Sequence, residues 1–163
     1  MKGENMEESS RGEPDRIDIR ILRALQDDGR LTNAELASRV GVSAATCHRR
    51  TQRLFELGYV TGVRAAINPS AVGLGALVMV GVVLDRSTPE SFAAFEGAVT
   101  AMKEVLDCQL VAGDFDYLLK IRVRDMTDFN KLHGQKLIAL PGVRQTRTFF
   151  VMREVKENGP LGF

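Results

Sequence analysis

The chain has 163 residues, of which 44 % are hydrophobic and 26 % charged, and its formal net charge is +1. These values are typical of a globular protein with one ordinary domain or two small ones, and they give no overall basic signal for nucleic acid. No apolar run approaches the roughly 20 residues of a membrane helix. The first residues lack the apolar segment of a signal peptide, which favours a cytoplasmic location. Two cysteines and two histidines disfavour a disulfide framework and a structural zinc site.

The first two predicted helices are short and have clear end signals. Apolar residues at helical spacing predict a helix that begins at Asp15, with Gly29 as a plausible C-terminal cap. Thr32 and Glu35 have the spacing of a capping box, which predicts the start of a second helix. Gly41 ends that helix after barely two turns. Short helices joined by tight glycine turns indicate a compact helical unit.

Residues 33–52 predict a helix-turn-helix. This motif needs a small residue where two helices cross, a glycine in the turn and apolar residues that face inwards. Ala37 and Gly41 supply the first two at the right spacing. Ser43 can cap a third helix, which is predicted to run to Leu57 and to end at Gly58. The predicted inward-facing residues are Leu36, Val40, Val42, Cys47, Thr51 and Leu54.

The outward face of the third helix is predicted to contact DNA rather than to be an ordinary solvated surface. Residues 30–68 contain six arginines and two glutamates, so this segment is locally basic. Arg49 and Gln52 suit the recognition of guanine and adenine, respectively. Arg50 stands where many such motifs have an apolar residue, so we expect its stem to pack while its head reaches a phosphate. The candidate DNA-contacting residues are Ser43, Ala45, Thr46, His48, Arg49, Arg50, Gln52 and Arg53.

The second half of the chain has the order strand, helix, strand, strand, helix, strand. This order predicts an α+β protein in which a winged helix-turn-helix precedes a ferredoxin-like βαββαβ domain. The wing is predicted at residues 59–67 as a hairpin around Thr61 and Gly62. The strands are predicted at Leu77–Leu84, which is nearly all apolar, and at residues 106–112, 117–124 and 143–156, with helices after Thr88-Pro89 and over 125–140.

Domain boundaries follow from these elements. We expect a tail at residues 1–13, the DNA-binding domain at 14–67, a linker at 68–75, the ferredoxin-like domain at 76–156 and a tail at 157–163. The helices of the second domain would cover one face of its sheet. Because the other face would expose apolar side chains to water, we expect a partner chain to cover it.

From about Pro14 to Lys156, the chain resembles the Lrp/AsnC (feast/famine) family of bacterial and archaeal transcription regulators. The stretches that carry the resemblance include Glu35-Leu36-Ala37, Gly41-Val42-Ser43, Gly113-Asp114-Phe115-Asp116-Tyr117 and Leu140-Pro141-Gly142-Val143. The resemblance implies a sequence-specific regulator of double-stranded DNA targets. It also implies homodimers that assemble further, to tetramers or octamers, and an amino-acid effector bound between subunits. Leucine or another apolar amino acid, such as methionine, is favoured.

The resemblance also implies an effector site. It places the effector loop at Gly113, Asp114 and Asp116, and effector-response residues at Met126, Thr148, Phe149, Phe150 and Val151. A loop with a glycine and two carboxylates suits a zwitterion, which needs amides for its carboxylate and an acceptor for its ammonium. Without the resemblance, the loop is better explained as a plain connection between two strands. The residues from Phe149 to Val151 would then be core and interface side chains.

No arrangement of residues predicts an enzyme or a cofactor. Cys47 and His48 are adjacent, so their side chains diverge by about 100° on a helix. Cys108 lies in an apolar alternation and is expected to be a small buried side chain, and His133 has no acidic neighbour at helical spacing. The alternatives are a ligand-binding adaptor whose winged helix docks a protein, and an allosteric subunit of an enzyme. The second of these leaves the arginine excess unexplained.

Overall fold

The computed structural model describes residues 12–163, so all but the end of the tail predicted at residues 1–13 lies outside the described residues. The chain divides into two compact units. One extends to Ala66 and also includes Asn158–Phe163, and the other is Ile67–Glu157. Within residues 12–163, no helix is long and apolar enough to cross a membrane.

The first unit contains three helices, α1 (Arg16–Asp27), α2 (Asn33–Val40) and α3 (Ala44–Glu56). Capping boxes open α1 and α2, which satisfies amides that a helix start leaves without partners. Gly41 has a φ of 73°, in the left-handed region, and forms the predicted turn between α2 and α3. The predicted inward-facing residues pack into one core, with Val42 and Thr51 half-buried at its edge. The fully buried members are Ile21, Ala24, Leu36, Ala37, Val40, Cys47 and Leu54.

Two details of the first unit differ from the predictions. The hairpin predicted at residues 59–67 is absent, since these residues form no strand. The amides of Tyr59 and Val60 instead donate to the Leu54 carbonyl at 2.9 and 3.2 Å, which closes the end of α3. The cap of α1 is Asp28 rather than Gly29. Gly29 is needed for close packing, because a Cβ at this position would lie 2.8 Å from Cγ1 of Val63.

The second unit is a four-stranded antiparallel sheet covered by helices on one face, as the ferredoxin-like arrangement predicts. Its strands lie in the order β2-β3-β1-β4, with β1 at the centre. Its elements, after a 3₁₀ turn at Ser70–Val72, are β1 (Ala76–Leu84), α4 (Pro89–Thr100), β2 (Val105–Leu110), β3 (Tyr117–Val123), α5 (Met126–Leu132) and β4 (Val143–Phe150).

The core of this unit lies between the sheet and its helices. Val78, Val80 and Val82 alternate towards the helices and are buried with Phe95 and Phe129. On the opposite, helix-free face, Met79 of β1 pairs with Phe149 of β4, whose side chain is half exposed. The helix-free face therefore carries apolar groups, as expected, and in this chain alone they face solvent.

The second unit also departs from the predictions at the ends of its elements. The last strand stops at Phe150, which pairs with Val78, rather than at residue 156. The last helix does not continue regularly to residue 140. It widens into a π-helical turn at His133–Leu137, and Nε2 of His133 lies 2.8 Å from Oγ1 of Thr146.

Cys108, which was expected to be buried, is exposed on the edge strand β2. Partial burial of the sulfur and, to a smaller extent, the nearby Glu96 carboxylate raise the pKa of its thiol above the ordinary value. A raised pKa leaves less reactive thiolate at neutral pH. The side chain is therefore a poor nucleophile, although it is accessible.

Candidate DNA-binding surface and effector site

The start of α3 is fixed by side chains from within the helical unit. Oγ of Ser43 accepts a hydrogen bond from the Thr46 amide at 3.2 Å, and its hydroxyl donates to Oγ1 of Thr46 at 2.9 Å. Nδ2 of Asn33, at the start of α2, donates to the Ala44 carbonyl at 2.9 Å. These bonds hold the first turn of α3, which is where a helix-turn-helix usually contacts bases.

Four predicted DNA-contacting residues form an exposed stripe along α3. Its members are Ala45, His48, Arg49 and Gln52. A stripe at this spacing lies on one side of a helix. The side chain at position 47, by contrast, is fully buried in the core. The structure therefore places the predicted base-reading residues on a common, solvent-facing surface.

A buried carboxylate connects the inner side of α3 to α1. The side chain of Asp18 is only 1 % exposed. Its oxygens accept hydrogen bonds from Nη1 of Arg50 at 2.9 Å and from Nη1 of Arg53 at 3.3 Å. Arg50 also donates to Asp15 at 2.7 Å. Two arginines of α3 thus pair with the first turn of α1, and a buried charge needs such partners.

This network explains the off-pattern arginine in the motif. The Arg50 stem packs inwards as expected, but its guanidinium binds Asp15 and Asp18. A contact between Arg50 and a phosphate stays a prediction, and the phosphate would have to compete with these two carboxylates. The Asp18 amide, and then Arg50, lower the pKa of Asp15 below its ordinary value. The sequence reasoning missed Asp18, although an arginine at an inward position signals the need for an acidic partner.

The predicted effector loop connects β2 and β3 and is anchored by Asp116. Oδ2 of Asp116 accepts a hydrogen bond from the Leu84 amide at 2.7 Å, and the Asp116 amide donates to the Val82 carbonyl at 2.9 Å. Gly113 and Asp114, by contrast, are exposed. One carboxylate therefore holds the loop to the end of β1, and the other is accessible to a ligand.

Phe115 packs the same loop onto the helix-free face of the sheet. A Cβ at Gly81 would lie 2.5 Å from the Phe115 ring, so only glycine leaves room for it. The ring centroids of Phe115 and Phe149 are 6.2 Å apart in an edge-to-face arrangement, and the Arg147 guanidinium carbon lies 5.8 Å from the Phe115 centroid. Phe115 was expected only as part of the family motif and Gly81 was not expected at all, although a glycine inside an apolar strand signals a close approach.

The structure divides the predicted effector residues between two faces of the sheet. Phe149 lies beside the Phe115 ring on the helix-free face. Phe150 points to the helices, where its ring centroid lies 5.3 Å from that of Phe129 in α5. Thr148 shares the face of Phe150 because it is two residues away on the same strand. Met126 is exposed at the start of α5, and the Val151 amide donates to the Leu77 carbonyl at 3.0 Å.

Two family models match the chain. The model described as the Lrp/AsnC ligand binding domain matches residues 77–161, which cover the sheet unit and most of the segment after it. The model described as winged helix-turn-helix DNA-binding matches residues 14–61, which cover the three helices.

Curated proteins and solved structures agree with these matches. The chain is 48 % identical over 147 residues to the leucine-responsive regulatory proteins of Escherichia coli K12 and Salmonella typhimurium, and the match covers 90 % of this chain and of each relative. It is similar to a transcriptional regulator of Neisseria meningitidis in complex with L-Met, with a TM-score of 0.86, 35 % identity and coverage of 91 % and 96 % of the two chains. An AsnC family regulator of Agrobacterium tumefaciens gives a TM-score of 0.85 at 32 % identity, with the same coverage of the two chains.

Proposed function

The chain belongs to the Lrp/AsnC family of DNA-binding transcription regulators with a ligand-binding domain, and from this premise we propose that it binds specific DNA sequences under the control of an amino acid. The observation that carries the proposal is the exposed stripe on α3, a helix that the Asp18 network holds in a fixed orientation against α1. We assign DNA binding to residues 14–67, the linker to 68–75 and effector sensing to 76–156. Because its target would be chromosomal DNA, we place the protein in the cytoplasm.

In this proposal α3 enters the major groove with its exposed stripe towards the base edges. Arg49 can donate two hydrogen bonds to one guanine, and Gln52 can both donate to and accept from one adenine. Ser43, Ala45, Thr46 and His48 lie nearer the start of the helix and contact the adjoining bases or phosphates. Arg53 adds a phosphate contact. Arg50 acts mainly by holding α3 against α1. Its guanidinium binds the carboxylates of Asp15 and Asp18 and also contacts a DNA phosphate.

We assign the effector site to Gly113, Asp114 and Asp116, with Met126 and Thr148–Val151 as the residues that respond to the ligand. Asp114 is the group best suited to bind the ligand ammonium, because one oxygen of Asp116 already accepts from Leu84. The relative solved with L-Met and the relatives named leucine-responsive support an apolar amino acid. We place this site between subunits of a homodimer, which assembles further to a tetramer or octamer through its apolar surfaces.

The DNA-binding proposal is tested by replacing Arg49 with alanine. Loss of a bidentate base contact is expected to weaken binding to a selected genomic site by about 1–3 kcal/mol, or roughly fivefold to 150-fold. Binding to random DNA of equal length should change much less. Arg16→Ala, which removes an exposed arginine at the start of α1, is the control for the loss of one charge. Titrations at several salt concentrations measure both affinities.

Equal loss on selected and random DNA would show that Arg49 does not read bases. A parent chain that ignores every duplex at low salt would instead favour the adaptor alternative, in which the helical unit docks a protein.

The effector proposal is tested by calorimetry of the full chain with each of the twenty common amino acids. Leucine or methionine is expected to give the largest heat, and Asp114→Asn should remove it by leaving the ligand ammonium without a charged acceptor. Glu90→Gln, at an exposed position in the first turn of α4, controls for the loss of one carboxylate. The absence of heat and of any change in oligomer size with all twenty would contradict the proposal.

A further inference from the structure

The segment Asn158–Phe163 belongs to the helical unit, although it follows the sheet unit in the chain. Nε2 of Gln26 donates to the Leu161 carbonyl at 3.1 Å, and the Leu161 amide donates back to Oε1 of Gln26 at 3.0 Å. One side chain of α1 therefore satisfies both main-chain groups of Leu161, much as a neighbouring strand would. This pairing differs from the behaviour expected of a free tail.

Arg23, one helical turn before Gln26, holds the end of the same segment. Its Nε donates to the main-chain oxygen of Phe163 at 2.7 Å, and its Nη2 donates to the same oxygen. Its guanidinium carbon lies 5.9 Å from the centroid of the Phe163 ring. Positions i and i+3 share one face of a helix, so Arg23 and Gln26 form one continuous contact surface for the segment.

The surface beside these contacts is apolar. A cavity of about 480 Å³ lies between α1, the residues that follow α3 and the docked segment. Leu22 and Leu25 of α1 line it, Val60 and Val63 form its opposite wall, and Leu161 and Phe163 line it from the segment. Phe163 and Leu161 border this apolar surface but stay 44 % and 74 % exposed, so the polar bonds from Arg23 and Gln26 to the main chain carry most of the docking. This combination is typical of peptide docking.

The residues just before the segment are held as well. Glu154 accepts a hydrogen bond from the nearly buried Arg122 of β3 at 2.6 Å, and Glu157 accepts one from Lys120 at 2.8 Å. Lys120, and to a smaller extent Arg122, lower the pKa of Glu157, as expected for a carboxylate held by these cations. The chain is therefore anchored to the sheet up to Glu157 and to α1 from Asn158 onwards.

We propose that Asn158–Phe163 is a docking segment for the outer face of α1, which ties the chain to the DNA-binding unit at a second place besides the linker. None of the docking residues belongs to the exposed stripe on α3, so DNA and the segment can be bound together. The effect on DNA binding depends on the proposed function. A unit that is tethered twice loses less freedom when it binds, so docking strengthens DNA binding.

The docking is tested by amide hydrogen exchange of the full chain without DNA. The Leu161 amide is protected in the parent, and Gln26→Ala accelerates its exchange by about tenfold because its acceptor is lost. Ser38→Ala, at an exposed position of α2, leaves the exchange unchanged. A Leu161 amide that exchanges at the rate of an unstructured peptide in the parent overturns the proposal.

The tethering effect is tested by DNA titration of the same variants. Gln26→Ala is expected to bind the selected site about threefold more weakly than the parent, and Ser38→Ala as tightly as the parent. Unchanged DNA affinity in a variant that has lost Leu161 protection overturns the tether. A parent that binds no DNA overturns the proposed function, while the exchange experiment still decides whether the segment docks.

Discussion

The two units orient their functional parts by different physical means. In the helical unit, a carboxylate that is 1 % exposed pairs with two arginines and joins α1 to the helix that carries the stripe proposed to contact DNA. In the sheet unit, main-chain hydrogen bonds position the proposed effector loop, and the Phe115 ring packs over Gly81. Buried charge thus orients α3 in the helical unit, and backbone hydrogen bonds position the loop in the sheet unit.

The two kinds of core specify geometry to different degrees. Among the described residues 12–66, the helical core has seven fully buried apolar residues, including two alanines and a cysteine, so its shape constrains helix rotation weakly. Directional ion pairs add that constraint, which is one attested use of buried polar groups. A sheet has its register set by paired strands, so the position of a loop between β2 and β3 follows from the backbone.

The largest effect is expected where the buried charge is removed. Asp18→Ala leaves Arg50 and Arg53 without their shared carboxylate, and breaking a buried pair costs about 3–5 kcal/mol of folding free energy. The sheet unit should keep its own stability. Hydrogen exchange followed separately for residues 12–66 and 67–157 during denaturation measures both. Equal destabilisation of the two units would break the comparison.

A surface ion pair provides the matched control for Asp18. Asp27 lies 3.0 Å from Nη2 of Arg39, and both side chains are about half exposed. Asp27→Ala is therefore expected to cost less than about 1 kcal/mol. A loss as large as that of Asp18→Ala would mean that burial is not what makes the Asp18 network strong.

An intermediate loss of stability is expected when Gly81 of the sheet unit is replaced. In Gly81→Ala the new Cβ collides with the Phe115 ring, and overpacking of this kind costs about 1–3 kcal/mol. Exchange in residues 111–116 should rise as the ring leaves the sheet, while the helical unit stays unchanged. Adding Phe115→Ala removes the collision, so the double variant should be more stable than the sum of the single losses predicts. Simple additivity would show that the two residues do not pack together.

The smallest expected effect is the response of the helical unit to acid. The Asp15 carboxyl has a lowered pKa in the folded chain, so the unfolded chain takes up more protons as the pH falls. The contribution of Asp15 to the free energy of unfolding is therefore fully present above about pH 4–5. It is lost as the pH falls through the lowered pKa of Asp15 in the folded chain. Because this side chain is 51 % exposed, the contribution should stay below about 1 kcal/mol. Asp15→Ser keeps a helix cap but removes the charge. The stability of the parent and of this variant is measured against pH, and a difference between them that does not change with pH would show that the Asp15 charge contributes nothing.

Signals that act over a few residues predicted the structure well. The Thr32–Glu35 capping box, the Gly41 turn and the Thr88 cap with Pro89 in the first turn all form as expected. Each depends on hydrogen bonds or backbone angles within one helical turn, so no distant residue is needed to decide it. The alternation of apolar residues likewise indicated the buried face of β3, but it failed in β2, where Leu106, Cys108 and Leu110 are exposed.

Signals that depend on distant partners were less reliable. The β-rich residues 59–67 form no hairpin, because the amides of Tyr59 and Val60 close α3 and an isolated pair of strands is only marginally stable. The last strand is shorter than its alternation suggests, because its pairing with β1 ends at Val78 and Phe150. The two adjacent phenylalanines at 149 and 150 serve opposite faces of the sheet, which separates them into different environments.

The amino-acid sequence alone determined the order of the elements, the helix ends at Thr32 and Gly41, and the outward stripe on α3, because these depend on short-range spacing. Long-range packing, by contrast, sets three features that the spacing left open: Arg50 binds Asp15 and Asp18, Asp116 anchors its loop, and residues 158–163 dock on α1. Each of these contacts joins residues more than thirty positions apart. Their geometry depends on how whole elements pack, which local spacing does not encode.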